Sequence, residues 1–125
     1  MLSIGIIGNG FVGNAVHQGF RQHYDVLVYD TKESLCKNTL EEVNRASCLF
    51  VCVPTPSTKF GEIDTSFIMS ALSKIQEGSL VVIKSTITPD AAERVNKAHS
   101  KLRIVYNPEF LTERTAVKDF ENPKK

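Results

Sequence analysis

The stretch Gly8-Asn9-Gly10-Phe11-Val12-Gly13 directly follows the short apolar run Leu2–Ile7. The run is too short for a helix and predicts a buried strand that stops at a glycine. From Phe11 to His23, apolar or small residues recur at helical spacing, which predicts a helix. Together the three parts predict a strand, a tight glycine turn and a helix, which is the arrangement of a dinucleotide-binding unit.

Each glycine of this loop has a separate physical role in such a turn. Gly8 permits the sharp turn out of the strand, and Gly10, which has no Cβ, lets a pyrophosphate approach the main chain. Gly13 lets the helix pack closely against the strand. Phe11 and Val12 open the helix, whose N-terminus offers unpaired N–H groups and a positive dipole end to phosphates. We therefore predict that these five residues bind the cofactor.

An acidic residue follows the second predicted strand, Asp25–Tyr29. This residue, Asp30, lies about 20 residues after the glycine loop, as a dinucleotide site requires. Its carboxylate can accept both hydroxyls of the adenosine ribose and would repel a 2′-phosphate, so it favours NAD over NADP. Lys32 lies nearby, is a further candidate cofactor residue and could soften that preference. A flavin site, an S-adenosylmethionine site and a merely structural turn are the alternatives for the loop.

The rest of the chain predicts alternating strands and helices. Because the strands are nearly all apolar, we expect an α/β fold, a Rossmann-like three-layer sandwich with a parallel sheet covered on both faces, formed by residues 1–125 as one domain. Strands are predicted over Cys48–Val53, Leu80–Ile83 and Arg103–Tyr106, and helices over Thr39–Asn44, Ser66–Gln76, Thr88 to about Ser100 and from near Glu109 or Leu111.

The composition argues against several classes of function. The 125-residue chain has a net charge of +1, which gives no reason to expect a nucleic-acid or membrane-surface partner. No apolar run approaches the roughly 18–20 residues that span a bilayer. The three histidines lack metal-ligand spacing, so no metal site is expected. Cys36, Cys48 and Cys52 have no disulfide-framework spacing, which favours a reducing cytoplasm, and the latter two are expected to be inert core residues.

Three further motifs follow predicted strands, where open α/β sheets bind their ligands. Singly, each has an ordinary structural explanation, because prolines end strands and Ser or Thr residues cap helices. Together, in their order and spacing, they resemble the N-terminal NAD-binding domain of the UDP-glucose/GDP-mannose dehydrogenase family over essentially the whole chain. The motifs are Val53-Pro54-Thr55-Pro56, Lys84-Ser85-Thr86-Ile87, and Asn107-Pro108-Glu109-Phe110-Leu111-Thr112-Glu113 with Thr115–Asp119 after it.

The resemblance implies a set of cofactor residues at two strand ends. Val53, Pro54, Thr55 and Ser85 would line the NAD cleft, with Thr86 near the nicotinamide and a bound water. It also implies that the family enzymes oxidise a sugar C6 alcohol to a carboxylate in two NAD-dependent steps, through an enzyme-bound thioester. Thr86 is therefore a catalytic candidate, and the expected substrate is a sugar nucleotide such as UDP-glucose.

The last motif would carry substrate contacts, by the same resemblance. Glu109 would be the acid–base or water-handling carboxylate, and Phe110 and Leu111 would present main-chain groups to the phosphates of the sugar nucleotide. Glu113 would contact the cofactor near its nicotinamide end.

The chain departs from the family pattern at three places. Arg114 stands where the family has glycine, beside the phosphate-contacting segment. The stretch from Asp30 to Cys48 is short, so the expected strand order is 2-1-3-4-5, with Leu35-Cys36-Lys37 as the remnant of a lost strand. The chain stops at Lys125, before the sugar-nucleotide domain and its nucleophilic cysteine, so we expect weak or no turnover by this chain alone.

Two other functions stay open at this level: a non-catalytic nucleotide-binding module, and a dehydrogenase domain of the 3-hydroxy-acid or 6-phosphogluconate type. A separate sugar-nucleotide-binding domain is an expected partner. Because an outer sheet edge would lie uncovered, we also expect a homodimer or a tendency to aggregate.

Overall fold

The computed structural model describes residues 2–107, and in this range five strands alternate with four α-helices. A 3-10 turn, Glu33–Leu35, follows the second strand. The elements in chain order are β1 (Ser3–Ile7), α1 (Phe11–Phe20), β2 (Asp25–Tyr29), α2 (Leu40–Asn44), β3 (Cys48–Val51), α3 (Ser66–Ser73), β4 (Leu80–Ile83), α4 (Pro89–Ala98) and β5 (Arg103–Tyr106).

The strands form one parallel sheet in the order β2-β1-β3-β4-β5, which confirms the predicted fold class and strand order. Ile7, the last residue of β1, is paired with Tyr29 at the end of β2 and with Val51 at the end of β3. Val51 in turn is paired with Ile83, which ends β4. The carboxyl ends of the strands therefore lie side by side, and the loops that follow them share one edge of the sheet.

Apolar side chains cover both faces of the sheet. On the face of α1, Ile4, Ile6 and Val28 of the sheet pack with Val16 of the helix. A larger cluster lies on the opposite face, where Ile7, Val51 and Ile83 of the sheet meet side chains of α2, α3 and α4. The alternation of Ile6 and Ile7 between the two clusters follows from the two-residue period of a strand.

The ends of β3 and of two helices differ from the sequence prediction, and β3 ends at Val51 instead of Val53. The helix predicted to reach His23 ends at Phe20, and the one predicted to reach Gln76 ends at Ser73.

After Ser73 the chain tightens, because the N–H of Ile75 bonds the carbonyl of Leu72, three residues back, at 3.1 Å. Gly78 then takes a φ of 84°, which glycine adopts at little cost, and turns the chain into β4.

The prediction that Leu35-Cys36-Lys37 is a remnant strand is wrong. Leu35 ends the 3-10 turn, and neither of the next two residues belongs to a strand. The N–H groups of Lys37 and Asn38 both bond the carbonyl of Val28, at 3.2 and 2.7 Å, and the Asn38 side chain accepts from the N–H of Val28 at 2.8 Å. Asn38 thus pairs with both main-chain groups of Val28 at the outer edge of β2, so these groups need no further strand as a partner.

Some expectations fall outside this range. The last predicted helix, from near Glu109 or Leu111, lies outside the described residues. Within residues 2–107, no helix is long and apolar enough to cross a bilayer. In the same range β5 pairs only with β4, and dimerisation through its open edge stays a prediction.

Candidate functional site

A cleft of about 740 Å³ opens at the carboxyl edge of the sheet, between the glycine loop and α3. Its volume lies in the range of small-molecule and cofactor sites. The loops after β1, β2, β3 and β4 and one face of α3 form its walls. The lining residues are Ile7, Gly8, Gly10, Val12, Tyr29, Asp30, Thr31, Lys32, Leu35, Leu40, Cys52, Val53, Pro54, Thr55, Phe67, Ser70, Ala71, Lys74, Lys84, Ser85 and Thr86.

The glycines of the loop meet three different steric situations. Gly8 has a φ of 98°, and a Cβ there would lie 2.8 Å from the carbonyl oxygen of Cys52. A Cβ on Gly13 would overlap the carbonyl oxygen of Gly8. A Cβ on Gly10 would meet no atom within 4 Å, because this position faces open space. The steric conditions predicted for the tight turn at Gly8 and the close helix packing at Gly13 are thus present, and Gly10 faces open space.

The N-terminus of α1 opens toward this space. Gly10 is its N-cap, no side chain caps the helix, and its first turn carries no acidic residue. The first main-chain bond of the helix runs from the N–H of Asn14 to the carbonyl of Gly10, at 2.8 Å. The N–H groups before Asn14 therefore have no partner within the helix, and they are available to an anion.

The carboxylate of Asp30 lines the same cleft and is held by two main-chain groups. The N–H of Asn9 donates to its Oδ2 at 2.6 Å, and the N–H of Lys32 donates to its Oδ1 at 2.7 Å. A carboxylate offers about four acceptor positions, so each oxygen keeps capacity for one more donor. The two vicinal hydroxyls of a ribose are hydrogen-bond donors, and their spacing lets each one donate to a different oxygen of this carboxylate.

The ends of β3 and β4 form the opposite wall. The buried Ser85 hydroxyl donates to the carbonyl of Val53 at 2.6 Å, which ties the two strand ends together. Thr55 is half-buried and Thr86 is exposed, and both line the cleft with Pro54. The structure therefore brings the two predicted threonines into the same cavity as the glycine loop and Asp30.

The cofactor, catalytic and substrate residues predicted from the sequence divide into three groups. Ten of them line the cleft: Gly8, Gly10, Val12, Asp30, Lys32, Val53, Pro54, Thr55, Ser85 and Thr86. Phe11 begins α1, and Gly13 packs beneath the loop instead of facing the cleft. Glu109, Phe110, Leu111 and Glu113 lie outside the described residues.

The sequence prediction missed the wall formed by α3. Phe67, Ser70, Ala71 and Lys74 all line the cleft, and their spacing places them on one face of a helix. This spacing could have indicated a shared face, but the mixture of aromatic, hydroxyl and charged side chains hid it from a search for apolar periodicity.

Two buried groups at the floor of the cleft were also missed or only partly described. Lys84, which is 3% exposed, lines the cleft beside Cys52. Burial raises the pKa of the Cys52 thiol to about 12, and the charge of Lys84 offsets this only in part. Burial also raises the pKa of Cys48. Cys52 is therefore a neutral core thiol at physiological pH, as predicted.

The residues present fit a nicotinamide dinucleotide. The open helix N-terminus at Gly10 suits a pyrophosphate, and the oriented carboxylate of Asp30 suits a ribose. Among residues 2–107, no group of three or more His, Cys, Asp or Glu side chains could hold a metal ion.

Comparison with known proteins gives an independent result. Residues 30–125, well over half of the chain, match the model of the UDP-glucose/GDP-mannose dehydrogenase family, NAD binding domain. The glycine loop lies before the matched range, so the loop geometry and the family match depend on different residues.

Individual relatives show the same relationship. The chain is 37% identical over 91 residues to the UDP-glucose 6-dehydrogenase of Rickettsia felis, and the alignment covers 66% of this chain and 20% of that enzyme. It is 28% identical over 171 residues to the UDP-glucose 6-dehydrogenase of Haloferax volcanii, and the alignment covers 99% of this chain and 40% of that enzyme. The solved UDP-glucose dehydrogenase of Pyrobaculum islandicum matches with a TM-score of 0.82 at 25% identity, over 98% of this chain and 39% of that one.

The chain is thus much shorter than these three relatives, since it spans only 20% to 40% of their length. The alignment with the Haloferax volcanii enzyme extends over 171 residues, whereas this chain has 125, so that enzyme carries insertions within the aligned range. The expected shortening after Asp30 agrees with the structure, where a 3-10 turn and α2 are the regular elements between β2 and β3.

Proposed function

Because this chain belongs to the UDP-glucose/GDP-mannose dehydrogenase family, we propose that residues 1–125 form one domain that binds NAD for the oxidation of a sugar nucleotide. One observation carries the proposal: the glycine loop, the open N-terminus of α1 and the oriented carboxylate of Asp30 face a single cleft. The family model gives the cofactor class, and the lining of the cleft supports the binding of that cofactor.

The chemistry of the cleft walls supports one orientation of the bound cofactor. Its pyrophosphate would lie at Gly10, where no side chain caps the helix and a Cβ would meet no atom within 4 Å. Its adenosine ribose would donate to Asp30, so the nicotinamide would extend toward the ends of β3 and β4. Thr55 and Thr86 lie there, and their hydroxyls could orient the carboxamide or a water molecule.

NAD, when bound, supplies the hydride acceptor for oxidation of an alcohol. We propose that the substrate is the C6 alcohol of UDP-glucose or a similar sugar nucleotide, that Thr86 and Glu109 act at the reacting end, and that Phe110 and Leu111 contact the nucleotide phosphates. Glu113 would contact the cofactor near the nicotinamide. The family resemblance supports these roles, and Thr86 has the further support of its position in the cleft.

A complementation assay tests the catalytic part of the proposal. The 125-residue chain is mixed with NAD, with UDP-glucose or GDP-mannose, and with a separately produced sugar-nucleotide domain from a related dehydrogenase. NADH formation is followed by absorbance. We expect little NADH from the chain alone and measurable formation with the added domain, because the relatives are much longer than this chain.

The controls separate binding from catalysis. Thr86→Val keeps the size of the side chain and removes its hydroxyl, so NADH formation should fall while NAD binding is largely retained. NAD binding without NADH formation in any mixture would favour a non-catalytic nucleotide-binding module. Oxidation of 3-hydroxy acids but not of sugar nucleotides would favour the hydroxy-acid type instead.

A further inference from the structure

Asn9, between the first two glycines of the loop, forms hydrogen bonds to two residues of the cleft wall. Its main-chain N–H donates to Asp30 Oδ2 at 2.6 Å, and its side-chain Nδ2 donates to the carbonyl oxygen of Leu35 at 2.9 Å. The residue is only 7% exposed. It therefore acts from beneath the cleft, and the cofactor need not touch its side chain.

The two partners of Asn9 are the ends of one short segment. Between them the chain folds back, since the N–H of Lys32 bonds Asp30 Oδ1 at 2.7 Å and the N–H of Leu35 bonds the carbonyl of Lys32 at 3.0 Å. Asp30, Lys32 and Leu35 all line the cleft. Asn9 thus fixes both ends of the wall segment that presents the carboxylate.

The pairing of the Asn9 amide is incomplete. Its Oδ1 is buried and has no hydrogen-bond partner within the part of the chain that the structure describes. An unpaired buried acceptor lowers stability, so this side chain stabilises the fold less than a fully paired one would. Its main effect is on the position of the chain, because its bond to Leu35 joins two residues that lie 26 positions apart in the sequence.

We propose that Asn9 is a positioning residue of the cofactor site, whose amide holds the segment from Asp30 to Leu35 so that the carboxylate stays oriented toward the two hydroxyls of a bound ribose. The inference rests on the proposed function, since it concerns the nucleoside end of NAD. An oriented carboxylate gives tighter binding because less freedom is lost when the ligand arrives.

Asn44 offers a matched control. Its Nδ2 also donates to a distant main-chain carbonyl, that of Lys74, at 2.7 Å, and its Oδ1 is likewise buried without a partner among the described residues. It lies at the end of α2, and its side chain does not line the cleft. Asn44→Ala therefore removes the same kind of bond from a different wall of the cleft, at Lys74, and leaves the segment that carries Asp30 intact.

The test uses NAD and its analogue that lacks the 2′-hydroxyl of the adenosine ribose, each titrated calorimetrically into wild type, Asn9→Ala and Asn44→Ala. If Asn9 acts through the carboxylate, Asn9→Ala should weaken NAD binding about fivefold, roughly the value of one hydrogen bond. The deoxy analogue, which cannot use the full carboxylate, should lose less than about twofold by the same argument. Asn44→Ala should leave the ratio of the two affinities unchanged, because its bond to Lys74 does not hold the carboxylate.

Other outcomes overturn the inference in distinguishable ways. Equal weakening of both ligands by Asn9→Ala would show a general structural role, and unchanged NAD binding would show no role. If Asn9→Ala does not fold, Asn9→Ser, a milder truncation, is judged by the same comparison of the two ligands. Absence of NAD binding by the wild type would refute the proposed function itself.

Discussion

The α-carbon of Gly13 lies so close to the carbonyl of Gly8 that a Cβ added to Gly13 would overlap that oxygen. Helix α1 therefore begins directly against the end of β1. This contact brings the open N-terminus of the helix to the edge of the sheet where Asp30 also lies. The close packing of the two glycines is thus a condition for the cleft and not only for the fold.

Gly13→Ala should destabilise the protein. The new methyl group would meet main-chain atoms that cannot rotate away, so the helix must shift, and overpacking of this kind costs about 1–3 kcal/mol. Urea unfolding of wild type and variant measures the difference. A free energy of unfolding within about 0.5 kcal/mol of wild type would contradict the packing described here.

Gly10→Ala is the complementary variant, because a Cβ at Gly10 meets no atom within 4 Å and the residue has a φ of −75°. We expect its free energy of unfolding to stay within about 1 kcal/mol of wild type, since alanine is a poorer N-cap than glycine but restricts the unfolded chain. NAD binding should nevertheless fall steeply, because the methyl group would occupy the approach of the pyrophosphate. Retained NAD affinity would place the phosphates elsewhere.

Asp30→Asn should change cofactor preference more than stability. The amide keeps an acceptor for the N–H of Asn9 or Lys32 but removes the negative charge that would repel a 2′-phosphate. A hydrogen bond to a charged group is worth about 1.5–3 kcal/mol, so the ratio of NADP affinity to NAD affinity should rise about tenfold or more. Parallel calorimetric titrations with the two cofactors measure the ratio, and an unchanged value would remove Asp30 from the ribose site.

The sequence predicted the sheet better than the cleft. β2, β4 and β5 were placed with their observed bounds, because short β-branched runs bounded by polar residues leave little choice of element. The end of α3 at Ser73 was not predicted. The chain tightens after Ser73 because Gly78 must reach the position from which β4 begins, and the local sequence pattern does not specify that position.

The cleft depends on contacts between residues far apart in the chain. Gly10 and Asp30 were predictable because the spacing of glycines and acid is a recurring pattern. The bond from Asn9 to Leu35 and the wall formed by Phe67 and Lys74 were not predictable, since they arise only when the loops after β1, β2 and β3 meet at one edge. The segment after Asn107, where Glu109 lies, stays a prediction from resemblance.

The capping box of α2 makes part of the stability pH-dependent. Hydrogen bonds from the main chain and hydroxyl of Thr39 hold the pKa of Glu42 below its ordinary value of 4.5. Because the folded pKa is lowered, this contribution is fully present above about pH 4.5 and is lost as the pH falls through the lowered value. Glu42→Gln should therefore flatten the acid side of the stability curve.

Urea unfolding between pH 7 and pH 3 checks this expectation. Glu41→Gln, in the same first turn but outside the capping box, is the control for the loss of one negative charge. An identical acid slope for Glu42→Gln and wild type would contradict the role of the capping box.

The thiols should differ in reactivity. Cys52 is buried and has a pKa of about 12, so almost no thiolate is present to react at pH 8. Brief treatment of the native protein with iodoacetamide, followed by mass spectrometry, should label Cys36, which is partly exposed, before Cys52. The chain unfolded in urea should label both at similar rates. Equal labelling in the native state would show that the floor of the cleft opens.

The most direct test of the central claim is the melting temperature of the 125-residue chain with and without NAD, measured by differential scanning calorimetry. At about 100 times its dissociation constant, a ligand adds roughly 2.7 kcal/mol of stability, which should raise the Tm by several degrees. We predict this rise with NAD, a smaller one with NADP at the same concentration, and none with NAD for Gly10→Ala. An unchanged Tm for the wild type at millimolar NAD would mean that the chain keeps the fold of its family without binding the cofactor.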